Sequence, residues 1–358
     1  MATTFKTFLN NDVTTARTLL HEAIPVTGSI VSGTYSDDNI KNYTHGIFQS
    51  VYDYPFLSSS ANHIFDLSVG YSAISALSGT TAVTEQPKKI NMYNQMAQVL
   101  VGYDITGSIL EFDEDGNIAD GGTKLRECLF IDFSRLLYKD EVKKGSFSLE
   151  LGVTTAYATP FTTTITLADT NAANDYRVNS PAGEYAILTA SDGTGTPLVA
   201  SGVDAGLIYY QAGIAVLSSS AFGSLLTTPV SMSRTDGSAV TWASASVGSV
   251  LTGSAISGNC DDLRNRLQNV SFNNTTELNS TIYFCRADNT DFNYSANPTY
   301  LNESKIVVKT DSQDVPVTYM TSVGLYSADN ELLAVAKLSE PLKKDPTTEF
   351  TVRVRLDY

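Results

Sequence analysis

SVGLYSADNELLAVAKLSEPLKKDPTTEFTVRVRLDY, residues 322 to 358, carries the signature that decides the fold class of this chain. Val323 to Tyr326 and Leu332 to Ala336 are apolar at consecutive positions, the pattern of strands covered on both faces. Between them, Ser327-Ala328-Asp329-Asn330 supplies turn residues, whose short polar side chains bond the local backbone. Further on, Phe350, Val352, Val354, Leu356 and Tyr358 alternate with Thr351, Arg353, Arg355 and Asp357. A period of two belongs to a strand with one buried and one wet face. The expectation is one buried sheet made of Thr318 to Tyr326, Leu332 to Leu338 and Phe350 to Leu356. Because the first two strands are apolar on both sides, each face needs a cover, one from this chain and one from a neighbouring subunit. A terminus buried in this way is held where a free one would fray.

The chain is 358 residues long, more than one hydrophobic core usually supports, and its composition changes along three blocks. Residues 1–152 form a mixed α/β block. TTARTLLHEAI (Thr14 to Ile24) places Ala16, Leu19, Leu20 and Ala23 at helical spacing, which predicts a short helix. INMYNQMAQVLVGY (Ile90 to Tyr103) predicts a second, lined by Tyr93, Met96, Ala97 and Leu100, with Pro87 ahead of it and Gly102 near its end. SILEFDEDGNIADGG reads as a strand and a turn on Asp115-Gly116-Asn117, and KLRECLFIDFSRLL and GSFSLELG read as further strands.

Residues 153–258 are rich in Ser, Thr, Ala and Gly, carry few charges and contain no lysine. FTTTITLA, EYAILTA, GLIYYQAGIAVL and AVTWASASV recur between turn signals, so the block predicts a separable, β-sandwich-like unit with some of its surface covered by a neighbour. Residues 259–358 return to ordinary charge density. CDDLRNRLQNV predicts a short helix with Leu263 and Leu267 on one side. TELNSTIYFCRAD predicts a strand with Ile282 and Phe284 facing one way, Tyr283 and Cys285 the other. The fold class expected is mainly β with a few short helices, in antiparallel sheets or sandwich-like units.

Lys and Arg number 23 against 38 Asp and Glu, a net charge of −15. Such a chain repels a phosphate backbone, so no nucleic-acid partner is expected. The first residues lack a continuous apolar run, and no stretch approaches the roughly 20 apolar residues that span a bilayer. The expectation is a soluble protein made in the cytosol, with no membrane partner. Cys128, Cys260 and Cys285 read as free thiols, and the Asn-x-Ser/Thr sites between Asn269 and Asn302 as turns.

Nothing in the pattern predicts catalysis. His21, His45 and His63 have no nucleophile motif beside them, and G-x-S-x-G, H-E-x-x-H and C-x-x-C do not occur. DGTGTPL (Asp192 to Leu198) lacks the lysine and third glycine of a phosphate loop. Asp113, Asp115, Asn117 and Asp120 could gather oxygens around Ca²⁺. An EF-hand would need Gly where Ile118 stands and Glu where Lys124 stands, so a solvated turn is the preferred reading. No metal, cofactor or enzyme activity is expected. Arg353 and Arg355 suit either ion pairs with an acidic partner or a solvated strand face.

Four stretches carry a resemblance: KKINMYNQMAQVLVGYDITGSILEFDEDGN, SRLLYKDEVKKGSFSLELG, GLIYYQAGIAVL, and the last hundred residues from SFNNTTELNSTIYFCRAD to RVRLDY. Together they resemble virion structural proteins of T4-like contractile-tailed bacteriophages, in particular those of cyanobacteria. VTYMTSVGLYSADNELLAVAKLSEPL is also similar to a hairpin in the baseplate-attaching region of phage tail-collar fibre proteins. The resemblance implies a structural subunit of the tail or baseplate, or of the region where fibres attach. It would reside in the virion and work through contacts with other virion proteins and copies of itself. It implies no catalytic residues. The alternatives are a neck or head decoration protein, and a receptor- or glycan-binding tail protein; a single tryptophan, Trp242, is a poor endowment for the last. Leu325, Tyr326, Leu332, Val335, Arg353, Arg355 and Tyr358 are the candidate interface residues.

Overall fold

The computed structural model of the chain describes residues 5–25, 37–79, 84–118, 122–152, 164–192, 204–219, 232–233, 239–240, 251–253, 255–293, 301–302, 305–306 and 317–358. Most of AVTWASASV with Trp242, Asp120, and DGTGTPL beyond Asp192 lie outside them. The chain divides into two compact units, Leu20–Thr276 and Met1–Leu19 with Glu277–Tyr358. In chain order the strands begin with β1 (Val13–Pro25), β2 (Ile40–Asn42), β3 (Gln49–Tyr52), β4 (His63–Tyr71), β5 (Phe112–Asp113), β6 (Lys124–Leu125) and β7 (Glu127–Phe133). They continue with β8 (Glu141–Val142), β9 (Ser148–Gly152), β10 (Thr164–Ala168), β11 (Arg177–Ser180), β12 (Gly183–Asp192), β13 (Asp204–Tyr209) and β14 (Ile214–Ser218). The last are β15 (Met232–Ser233), β16 (Ala239–Val240), β17 (Leu267–Ala287), β18 (Leu301–Asn302), β19 (Lys305–Ile306), β20 (Thr318–Tyr326), β21 (Leu332–Lys344) and β22 (Phe350–Asp357). The α-helices that lie wholly within the described residues are α1 (Gln86–Leu100), α2 (Arg135–Tyr138) and α3 (Ile256–Arg266), and residues 251–253 are also helical. The protein is mainly β, its registered strand pairs are antiparallel, and the helices are few, as its patterning predicts.

In the larger unit the strands lie in the order β17-β9-β10-β12-β13-β14-β7-β4-β3-β2. Six steps separate β17 from β7, about 29 Å across a flat sheet at about 4.8 Å per step. Yet the rings of Phe133 on β7 and Phe272 on β17 stand 5.2 Å apart, and Phe147, just ahead of β9, lies 5.9 Å from Phe133. The sheet therefore rolls over on itself. Its inner face gathers Val51, Leu67, Ile131, Leu149, Leu167 and Val270 into one core, closed by Cys260 and Leu263 of α3. Cys260 Sγ donates to the Leu67 carbonyl at 3.2 Å, fixing α3 to β4.

On the other face lies α1, entered through Pro87 in its first turn. It buries Tyr93, Ala97 and Leu100 against Phe112, Phe130, Tyr209 and Val216. The approach is close because β4 carries Gly70 there. A Cβ at that position would stand 2.7 Å from the Lys89 carbonyl oxygen and 2.7 Å from the Tyr93 nitrogen.

Two expectations change. Strands β10, β12, β13 and β14, from the Ser/Thr/Ala/Gly-rich block, do not form a sheet of their own; they lie between β9 and β7 of the preceding block. Their scarcity of charge reflects central strands covered by the chain itself. Thr14 to Ile24, predicted helical, is the strand β1, paired with β17. Leu19 and Leu20 are exposed, so no apolar surface meets the helical stripe. Its three threonines suit a ladder instead.

In the smaller unit β22 pairs with the second half of β17, from Ser280↔Asp357 to Ala287↔Phe350. Strands β20 and β21 form a two-stranded sheet by themselves, as do β18 and β19. The alternation in β22 holds: Val354 is buried and Val352 and Leu356 half-buried, while Thr351, Arg353, Arg355 and Asp357 are exposed. The partner differs from expectation, since β22 joins β17 rather than the hairpin. Alternation settles which side of a strand is apolar, not which strand it meets.

Gly70→Ala should destabilise the larger unit by about 1–3 kcal/mol through overpacking against α1. Gly79→Ala, where a Cβ meets nothing within 4 Å, should stay within about 0.5 kcal/mol. Urea unfolding of both variants checks this.

Candidate assembly surface

The terminal hairpin is closed as its residues predict. Ser327 N–H donates to the Glu331 carbonyl at 2.9 Å and Asn330 N–H to the Ser327 carbonyl at 3.1 Å. Asn330 takes φ +63°, a left-handed conformation that asparagine tolerates better than most residues. The register runs Val323↔Ala336, Gly324↔Val335, Leu325↔Ala334 and Tyr326↔Leu332. Leu325 is buried, and Val323, Ala334, Ala336 and Leu338 are half-buried. Tyr326, Leu332, Leu333 and Val335 are 46%, 52%, 69% and 56% exposed.

Within the single chain one side of the hairpin is therefore covered and the other is open. A consecutive apolar run specifies two apolar faces, but one chain supplies a cover for only one of them. Gly324 flattens the open side. A Cβ there would sit 2.9 Å from Tyr326 Cε2 and 3.2 Å from Leu332 Cδ1, so both side chains lie across the glycine.

Of the seven candidates, Tyr326, Leu332 and Val335 come together on this open side, and Leu325 lies inside. Arg353 and Arg355 belong to the β17–β22 pair, and Tyr358 follows it. Arg355 donates to Asp357 at 2.6 Å and to Ser280 Oγ at 3.2 Å, and the Ser280 hydroxyl and Arg355 hold the Asp357 carboxyl below its usual range. Arg353 is exposed beside it. Tyr358, placed by its alternation on the buried side, is instead 76% exposed. It lies beyond Asp357, the last residue of β22 in register with β17. Its hydroxyl bonds Thr281 Oγ1 at 3.1 Å and its N–H donates to the Asn279 carbonyl.

A neighbouring group was not legible in the sequence. Residues 5–9, outside any helix or strand, reach the hairpin through Phe5, whose ring meets Tyr326 edge-on at 5.0 Å. Phe8 lies 5.5 Å from Tyr283, and Lys6 is clasped by Asp288 and Asp291, which raise its pKa. Asp12 pairs with Arg286 at 2.7 Å. Only the F-x-x-F spacing around a lysine hinted at such an arm.

The remaining candidates are absorbed by local structure. Asp113 Oδ1 accepts the N–H groups of Asp115 and Asn117 at 3.1 Å each, while Oδ2 pairs with Lys124. The Lys124 ammonium thus meets the carboxylate that would have had to lead a cation site. Among the described residues no group of three or more His, Cys, Asp or Glu could hold a metal ion. His21 Nδ1 lies 3.1 Å from Thr275 Oγ1, His45 stacks on Tyr43, and His63 Nε2 lies 2.8 Å from Asp66 Oδ1. Cys128 and Cys260 are buried free thiols whose pKa burial pushes well up, and Cys285 is half-buried. Among the described residues no helix is long and apolar enough to cross a membrane. Comparison of the chain with protein-family models, curated proteins and solved structures returns no match.

Two aspartate substitutions on adjacent hairpin strands should part company. Leu325→Asp buries an unpaired carboxyl and should cost on the order of 3 kcal/mol or more. Val335→Asp, on the open side, should leave thermal unfolding within about 0.5 kcal/mol of the parent. Thermal melts of the two variants followed by circular dichroism check this.

Proposed function

We propose that the chain is a structural subunit of a tailed-bacteriophage virion, in the tail or baseplate or where fibres attach, acting through protein–protein contacts. The observation that carries this reading is the open apolar side of the terminal hairpin, Tyr326, Leu332, Leu333 and Val335 together. Contiguous exposed apolar side chains mark surfaces that meet another protein. The four stretches that resemble virion proteins of contractile-tailed phages support the same reading, as does the hairpin's similarity to the attachment region of collar fibres. The contact repeats in a symmetric particle, so a modest interface on each copy suffices. Partners are other virion proteins and further copies of this chain, and no catalytic step is assigned to it.

Purified particles of the phage that encodes the chain should contain it, and gold-labelled antibody should decorate the tail or baseplate. Particles lacking the protein would overturn the reading. Supplied in trans, Val335→Asp and Leu333→Asp chains should fold but enter particles at least tenfold less well than the parent. Equal incorporation would remove the hairpin from the interface.

A further inference from the structure

Asp66 on β4 lies directly opposite Asp132 on β7, and Ser50 on β3 lies directly opposite Asp66. Ser50 Oγ donates to Asp66 Oδ1, and His63 Nε2 meets the same oxygen at 2.8 Å. We infer that this row across β3, β4 and β7 is a proton-binding site that strengthens its end of the rolled sheet when mildly acidic solution protonates it.

Directly opposed carboxylates on neighbouring strands repel one another, with Cβ atoms about 4.5–5.5 Å apart. Asp66 relieves this through two donors, the Ser50 hydroxyl and the His63 ring. Beyond Asp132, β14 offers only Ile214, which brings no cation. The charged and titratable groups around the row are Asp66 and His63 on β4, Tyr52 on β3, Tyr43 after β2, Arg135 and Tyr138 on α2, and the buried thiol of Cys260 on α3, which feels the Asp66 charge. Arg135 is exposed, and the charges that act on Asp132 are Asp66 and His63.

Burial, then the Asp66 charge, push the Asp132 carboxyl up to about 6. The hydrogen bond to Asp66 raises His63. Both shifts have one sign. A carboxyl raised in the folded state stabilises the fold below its ordinary value and loses that contribution as pH rises through about 6. A raised imidazole likewise stabilises below its ordinary value and loses the contribution as pH rises through its folded value. The larger unit should therefore be more stable near pH 5.5 than near pH 8. A protonated Asp132 can donate to Asp66, turning the repulsion into a hydrogen bond. Half-burial of His63, Asp66 and Asp132 leaves the row within reach of solvent protons.

Selective ¹³C labelling of aspartate carboxyls in the full chain reads the site directly. Asp132 should titrate with a midpoint near 6, and a midpoint near the ordinary value of about 3.9 would overturn the inference. In thermal melts the parent should gain several degrees between pH 8 and pH 5.5, and Asp132→Asn should lose most of that gain. Asp329→Asn, in the exposed hairpin turn, should keep it. An unchanged gain in Asp132→Asn would overturn the assignment. Should that variant fail to fold, the carboxyl titration of the parent decides.

Discussion

The packing of Phe133 against Phe272 and Phe147 is the contact on which the larger unit depends. Strands far apart in sheet order meet there, and that meeting turns an open antiparallel sheet into a rolled one with a filled interior. A sheet of this many strands left flat would expose one apolar face along its whole length. Rolling buries that face against itself, so the inward residues of β4, β7, β9, β10, β12 and β17 share one core. Strands from the Ser/Thr/Ala/Gly-rich block can be so poor in charge because they occupy the middle of this arrangement.

The helices are fastened to the roll by short-range devices. Gly70 lets the backbone of α1 approach β4 more closely than any side chain would allow. At the start of α1, Glu85 adopts φ +57° and its carboxylate reaches the N–H of Ile256 at 2.9 Å, the first residue of α3. A carboxylate at a helix N-terminus satisfies an orphaned donor and complements the helix dipole. The same group pairs with Lys88 at 2.7 Å. Lys89, next along, is buried and donates to the Leu251 carbonyl, and burial pushes its pKa down to about 8. One residue in an unfavourable backbone conformation thus ties two helices on different faces of the sheet.

The smaller unit follows another logic. The β17–β22 pair carries one apolar side, as a half-buried sheet should, but the hairpin beside it in sequence keeps apolar residues on its open side. Isolated two-stranded ribbons are marginal in water, so a hairpin of this kind gains stability from whatever covers it. In the proposed reading that cover is another subunit of the particle. The arm at residues 5–9, held by rings and ion pairs, already shields Tyr326 in part.

The sequence by itself determined the local elements whose cause is local. Pro87 and the spacing of Tyr93, Ala97 and Leu100 specify α1; Asn330 specifies its turn; the alternation from Phe350 to Leu356 specifies the wet and dry sides of β22. Only the tertiary structure decided the partners. It set β22 against β17, made Thr14 to Ile24 a strand, left Val335 open while burying Leu325, and brought Asp66 opposite Asp132. Each depends on segments distant in sequence, and the free energy of such a contact is a property of both surfaces at once. A residue pattern records the chemistry of one side of a contact; it cannot record which other side will be there to meet it.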